Sequence, residues 1–329
     1  MKVLITGGSG FIGTNLMEYY LSKGVEVINF STDPPKKPEH KPYWKEVDIL
    51  DNERLKREIR DFSPTYILNL AGRTGISEQN NLQHYATNFE GVRNLISATK
   101  NLAGLQRIIF TSSMLVCRPD YTPRDQTDYC PNTLYGQSKM LGEKVVREAG
   151  DLPYSWAIVR PTGIWGPWFE APYTSLFKLI RMGLYVHPAT SHPVQSLGFV
   201  GNTVHQYDRL MRAPDEIVHG KMFYLADHPP TDLREWMNLV QRALKAPPIR
   251  EVPIWVLRGA AKTGDMMKAV GWSNAPLYSS RLQNLLRSFV FDLEHFLIEG
   301  LPCSLEQGVE ITVNWYENIL LKIQRGHEA

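Results

Sequence analysis

The sequence predicts an α/β fold, a doubly wound parallel sheet followed by a smaller domain. Three observations carry that expectation. The chain opens on a short apolar run, Val3 to Ile5, that enters a turn holding Gly7, Gly10 and Gly13, and an amphipathic segment with Leu16, Met17, Tyr20 and Leu21 follows at helical spacing. Short apolar runs and helical patterns then alternate to Pro161. Such runs without polar alternation suit strands buried on both faces by helices. From Trp168 onward the alternation stops. We therefore place one domain at 1–165 and a second, smaller one over most of 166–329, with about 196–212 returning to pack on the first.

The opening reads as strand, tight turn, helix. Glycine allows backbone angles closed to other residues, and its missing side chain lets a phosphate approach the main chain. The helix beginning near Phe11 and Ile12 adds unpaired N–H groups and the positive end of a dipole, which suits a pyrophosphate. Gly13 lets the helix pack close to the strand. These features predict that Gly7, Gly10, Phe11 and Ile12 hold a dinucleotide, although the spacing is G-x-x-G-x-x-G and not the more usual G-x-G-x-x-G.

Gly24 to Phe30 reads as a second strand, and the residue ending it is placed to meet the adenosine ribose. That residue is Ser31, followed by Thr32 and Asp33, with Lys36 and Lys37 close behind. A hydroxyl with nearby lysines tolerates a 2′-phosphate and tilts the expectation from NAD toward NADP. Asp33 keeps NAD open, and a solvated loop is the plainer reading of each lysine. Residues 34–44 form a proline-punctuated loop, Val47-Asp48-Ile49 the end of a third strand, and Asp51 the start of a helix. Tyr66 to Gly72 is a fourth buried strand, ending in Leu70, Ala71 and Gly72, small enough for a cofactor to lie against backbone. A long helix over about 85–102 carries Asn88 and Gly91, and Arg107 to Ser113 is the fifth strand.

The chemistry divides into two pieces. Ser113 stands at the carboxyl end of the fifth strand, where this architecture exposes residues to ligand. Tyr135 and Lys139 lie four apart on a helical segment and share one face. The lysine's charge, added to that of an oxidised nicotinamide, would favour the phenolate and lower the tyrosine pKa. The lysine can also hold the nicotinamide ribose, and Ser113 can share the substrate oxygen.

Gly7-x-x-Gly10-x-x-Gly13, Asp48, Asn88, Ser113, Tyr135 and Lys139 resemble, in order and spacing, the extended short-chain dehydrogenase/reductases, in their nucleotide-sugar epimerase and dehydratase branch. Tyr154 to Pro167, with Arg160-Pro161 and Gly166-Pro167, is similar to that family's sixth strand, and Ser304 to Val309 with Trp315-Tyr316 to its closing helix. The resemblance implies a Rossmann-type domain, Asp48 and Ile49 beside adenine, Pro161 beside the cofactor, Ser113, Tyr135 and Lys139 as the catalytic set, and a nucleotide sugar as substrate. It also implies a homodimer pairing helices near 85–102 and 133–149, with surface-polysaccharide synthesis as the commonest setting. Departures narrow the activity. Dehydratases of the family carry an Asp-Glu pair after the serine, where this chain has Met114 and Leu115. An epimerase-reductase of the fucose-synthase type needs cysteine at Leu115, and Cys117 comes two residues late. Hydride transfer at one sugar carbon, C4 first, remains, by an epimerase or a keto-sugar reductase. The rivals are a reductase of a non-sugar ketone or aldehyde and a non-catalytic dinucleotide sensor.

Composition excludes other classes. The 329 residues are 43% apolar and 21% charged with a formal charge of +2, and no basic run marks a nucleic-acid partner. Three cysteines, Cys117, Cys130 and Cys303, have no metal-ligand spacing and read as reduced thiols, so no metal is expected. No stretch is apolar for about 18 residues and the first strand begins at once, so a cytoplasmic protein with no membrane partner is expected. In the second half three residues are substrate candidates. Trp165, like Trp168, lines a sugar or packs a core. His187, preceding Pro188, meets a phosphate or base, or is structural. Arg281, in a late helix opened by Pro276 to Ser280, binds a diphosphate or lies on the surface.

Overall fold

A computed structural model describes residues 1–75, 81–119, 121–170, 172–269 and 277–326. Seven parallel strands form its principal sheet: β1 (Lys2–Thr6), β2 (Glu26–Ser31), β3 (Trp44–Glu46), β4 (Tyr66–Asn69), β5 (Arg107–Thr111), β6 (Ser155–Pro161) and β7 (Lys221–Leu225). Their spatial order is β7-β6-β5-β4-β1-β2-β3, so the winding reverses between β1 and β4. A sheet of that order opens a crevice at the carboxyl ends of the two strands where direction changes.

Helices α1 (Phe11–Ser22), α2 (Asn52–Phe62), α3 (Glu90–Thr99), α4 (Leu134–Arg147), α5 (Tyr173–Arg181) and α6 (Val200–Arg212) follow in chain order. After them come α7 (Asp215–Val218), α8 (Leu233–Ala243), α9 (Ile254–Ala269), α10 (Ser279–Leu286), α11 (His295–Ile298) and α12 (Leu305–Gly326). Strand alternation sorts the core into two faces. Val3 and Ile5 pack with Leu16, Met17 and Tyr20 of α1 and with Tyr207 and Leu210 of α6. Leu4 points the other way, among Leu55 and Ile59 of α2, Leu95 of α3 and Val146 of α4.

The chain divides into two compact units. The first takes Met1–Ile164, Val200–Ala226 and Asp292–Pro302, a longer return than the 196–212 expected from sequence. The second takes Trp165–Phe199, Asp227–Phe291 and Cys303–Ala329. Its core is aromatic: Trp165 meets the rings of Phe199 and Trp236 at 5.3 Å each, and Phe177 stacks on Phe169 and Tyr316. A Cβ on Gly308 would come within 2.9 Å of Phe199, so α12 lies directly on these rings. Ser304 and Gln307 exchange hydrogen bonds at the start of α12, a reciprocal cap.

Two elements differ from expectation. The third strand is Trp44–Glu46, not Val47–Ile49, and a 3-10 turn over Pro38–Tyr43 fills the proline-punctuated loop. The indole of Trp44 donates to the Ser31 carbonyl, which fixes the earlier register. The helix expected over 85–102 is a 3-10 stretch, Leu82–Asn88, and then α3. The break falls at Phe89, whose φ is −133°, beside Asn88, whose amide bonds the backbone of Arg73 and the hydroxyl of Ser138.

Candidate active site

The glycine turn is built for close approach. Gly7 has φ +74°, and a Cβ there would lie 2.7 Å from the backbone nitrogen of Ala71, at the point where the strand order reverses. A Cβ on Gly13 would stand 2.3 Å from the Gly7 carbonyl, so a side chain would drive α1 off the turn. Gly10 is the N-cap of α1, with no side-chain cap and no acidic residue in the first turn that follows through Phe11 and Ile12. That helix end is left open to an anion.

Around the ribose position, sequence and structure part. Ser31 is buried, donates to Asn29 and accepts from the backbone of Ser9. The ammonium of Lys37 is tied to Glu18, and Lys36 also makes contacts of its own. The hydroxyl and lysine that tilted the expectation toward a 2′-phosphate are thus engaged within the protein. Asp33 is exposed one turn beyond β2. Asp48 caps the turn to Leu50, and Ile49 is buried against Gly91. Leu70, Ala71 and Gly72 follow β4, and Pro161 closes β6.

Ser113, Tyr135 and Lys139 come together at the carboxyl edge of the sheet. Ser113 ends the β5 segment and caps the short turn Met114–Val116. Thr133 caps α4 by accepting from Gly136, which places Tyr135 in the first turn and Lys139 one turn on. The Ser113 hydroxyl is close enough to the Tyr135 phenol to act against the rise in its pKa. Lys139 donates to the Thr111 carbonyl at 3.0 Å, and a Cβ on Gly72 would stand 3.0 Å from its ammonium. The missing side chain of Gly72 therefore gives Lys139 and Asn88 access to the end of β4.

Burial dominates the electrostatics. It raises the Tyr135 phenol, the nearby Ser113 hydroxyl opposing and Tyr85 adding to the rise. It pulls Lys139 down to about 8, with Glu143 pulling back up. The depressed tyrosine pKa expected from the lysine's charge is therefore not a property of the protein groups alone; the ammonium is turned to a carbonyl, and desolvation favours the neutral phenol.

A prediction follows for Lys139→Met in NAD-free protein. Below pH 8 the lysine is charged both folded and unfolded, and its burial counts against the fold. Between about 8 and 10.5 the unfolded chain binds a proton that the folded chain has released, so wild-type stability rises with pH. The variant should be the more stable at pH 7, by about 2 kcal/mol, and its advantage should shrink by pH 10. Urea melts of both proteins at the two pH values measure this; an advantage that grows with pH contradicts it.

Sequence reasoning missed the surroundings of the trio. The Tyr85 ring lies 6.3 Å from that of Tyr135, and Tyr207 of α6 bonds Thr111 at 2.8 Å. Glu143, one turn past Lys139, forms a two-point pair with Arg160 of β6, both bonds 2.8 Å. The four-residue step from Lys139 to Glu143 was the only signal in the sequence, and it names no partner.

The substrate candidates lie elsewhere. Trp165 is fully buried in the aromatic core of the second unit, which corrects its reading as a ligand contact. His187 is 4% exposed, bonded to Asn238 at 2.9 Å and held below its ordinary pKa by burial, a core histidine. Arg281 is half-buried on α10 with its guanidinium 5.9 Å from the Tyr278 ring. Pro276, which opened that helix in the sequence reading, lies outside the described residues.

Residues 3–226 match the family model described as NAD dependent epimerase/dehydratase family. The chain belongs to that family. It is an NAD(P)-dependent enzyme of the extended short-chain dehydrogenase/reductase type, as the motif order implied. Among the relatives of this family member is a 3-beta-hydroxysteroid dehydrogenase of Mycolicibacterium neoaurum, 29% identical over 265 residues that cover 76% of this chain and 72% of the relative. Another is the N-acetyl-alpha-D-glucosaminyl-diphospho-ditrans,octacis-undecaprenol 4-epimerase of Escherichia coli O157:H7, 25% identical over 95% of both chains. Among solved structures, the UDP-glucose 4-epimerase of Thermotoga maritima shares the fold with a TM-score of 0.73, at 20% identity over 97% of this chain and 100% of that one.

Proposed function

We propose that this family member is an NAD-dependent epimerase that oxidises and re-reduces one secondary carbinol, C4, of a diphosphate-linked sugar. The observation that carries the reading is the gathering of Ser113, Tyr135 and Lys139 at the sheet edge, Ser113 just past β5 and Lys139 one turn from Tyr135 on α4, donating to the Thr111 carbonyl. Gly7, Gly10 and the open end of α1 would hold the pyrophosphate, and Asp33 would accept from the adenosine ribose, which favours NAD over NADP. NAD, when bound, supplies the hydride acceptor and donor. Tyr135 takes the hydroxyl proton and returns it, Ser113 orients the oxygen, and Lys139 holds the ribose and adds positive charge beside the phenol. Met114 and Leu115 cannot move protons, which argues against dehydration. The carrier of the diphosphate is a nucleoside on the sequence resemblance, and the undecaprenol-linked relative adds a polyprenol as a second carrier of the same chemistry. A two-fold homodimer through α3 and α4 belongs to the same proposal. The steroid-dehydrogenase relative supports the rival reading, net oxidation or reduction of a non-sugar substrate.

The test is to denature purified protein and identify any released dinucleotide, then to offer UDP-glucose and UDP-N-acetylglucosamine and resolve their C4 epimers. Near-stoichiometric NAD with interconversion of either pair is the expected result. An empty protein that prefers NADPH and leaves both sugars unchanged would overturn the reading.

A further inference from the structure

The second unit carries a helix whose outward stripe is apolar. Trp255 is 75% exposed and Met266 is 71% exposed, the most exposed large apolar side chains among the described residues. Both lie on α9. At 3.6 residues per turn, Trp255, Gly259, Lys262 and Met266 fall within roughly 60° of arc. Leu257, Ala261 and Gly264, the buried positions of α9, lie on the opposite side. Leu257 and Ala261 pack there with Leu282, Val186 and Val252. The stripe therefore points directly away from the core, and Trp255 and Met266 stand about 16 Å apart along it.

Charge selects the occupant. The helix carries Arg258, Lys262 and Lys268 against one carboxylate, Asp265. Asp265 accepts from the backbone and hydroxyl of Ser279, and Lys268 sits over the Tyr278 ring at 4.1 Å. Lys262 stands within the apolar stripe and Arg258 beside it, both exposed. No acidic residue occupies the first turn, where the helix dipole adds positive potential next to Trp255. A second copy of the chain meeting this stripe across a two-fold would set Lys262 and Arg258 against their own counterparts, which is unfavourable. An anionic surface is favoured instead. Tryptophan settles at the level of lipid headgroups, and lysine and arginine reach outward to phosphate.

We propose that the outer face of α9 docks the protein on an anionic lipid bilayer, Trp255 and Met266 entering the headgroup region and Arg258 and Lys262 meeting lipid phosphates. The helix lies on the membrane and does not cross it; no helix among the described residues is long and apolar enough to span. This departs from the absence of a membrane partner expected from sequence, since a surface helix of this kind needs no long apolar run.

The experiment is co-sedimentation of the full chain with vesicles of phosphatidylcholine alone and of phosphatidylcholine mixed with phosphatidylglycerol, at low and at high salt. We expect binding to the mixed vesicles to exceed that to neutral ones by about tenfold or more, and to weaken with salt. Trp255→Ser combined with Met266→Ser should lower it by about tenfold, as should Lys262→Glu, with unchanged thermal midpoints because the side chains are exposed. Equal sedimentation with and without phosphatidylglycerol, or undiminished binding by both variants, overturns the proposal. So does a wild-type dimer that the serine variant dissolves while neither protein binds vesicles. The readout needs no turnover, so its failure leaves the proposed reaction standing, and failure of the reaction leaves it untouched.

Discussion

Tyr135→Phe is expected to lower turnover by a hundredfold or more while changing NAD affinity by less than about threefold. The substitution removes one oxygen and keeps the ring, so the packing of Tyr135 near Tyr85 and the cap of α4 at Thr133 are preserved. The Ser113 hydroxyl still accepts from the backbone N–H of Leu115. What disappears is the group proposed to take and return the substrate proton. Because burial raises the phenol in the protein alone, the proton transfer depends on charge brought into the site. Rates of wild type and variant with a fixed sugar substrate, alongside NAD titrations, separate the chemical step from binding. Near-normal turnover in Tyr135→Phe would remove the tyrosine from the mechanism. A parallel loss of NAD affinity would make its role structural.

The second large effect falls on stability. Glu143→Ala should destabilise the protein by about 3–5 kcal/mol, because it leaves the Arg160 guanidinium charged and fully buried without its carboxylate. Arg160 keeps the Gln126 carbonyl at 2.8 Å, the Tyr224 hydroxyl at 3.3 Å and the nearby Tyr129 and Tyr224 rings, none of them a carboxylate, and Tyr129 loses its acceptor. The pair joins α4 to β6, and α4 carries Tyr135 and Lys139, so loosening it should displace the proposed catalytic groups as well. A double variant, Glu143→Met with Arg160→Met, should recover most of the lost stability, since apolar side chains of similar volume remove both buried charges together. Urea unfolding of the three proteins decides the matter. A single variant costing less than about 1 kcal/mol, or a double variant worse than the single, would show that the pair is not the strut it resembles.

The glycine turn, the alternation to Pro161 and the order Ser113, Tyr135, Lys139 were legible in the chain because each is local. A strand meeting a helix through glycine needs only neighbouring residues, and a Tyr and Lys four apart share a face wherever a helix forms. The engagement of the ribose-side groups was not legible for the opposite reason. Ser31 ends its strand as expected, but its hydroxyl is taken by Asn29 and Ser9, and Lys37 by Glu18, partners set by the packing of the turn on α1. Asn88, at the break of an expected helix, bonds Arg73 and Ser138, and the second of these is 50 positions away in the chain.

Sequence by itself determined the parallel α/β architecture, the glycine turn between β1 and α1 and the placing of Tyr135 and Lys139 on one helical face, since hydrophobic period, glycine geometry and helical spacing act over a few residues. Tertiary structure alone decided which charges are buried and with whom: that Lys139 turns to Thr111, that Glu143 meets Arg160, that Trp165 and His187 are core, and that Trp255 faces outward. Burial and pairing are properties of atoms far apart in the chain, and only the folded arrangement brings them within reach.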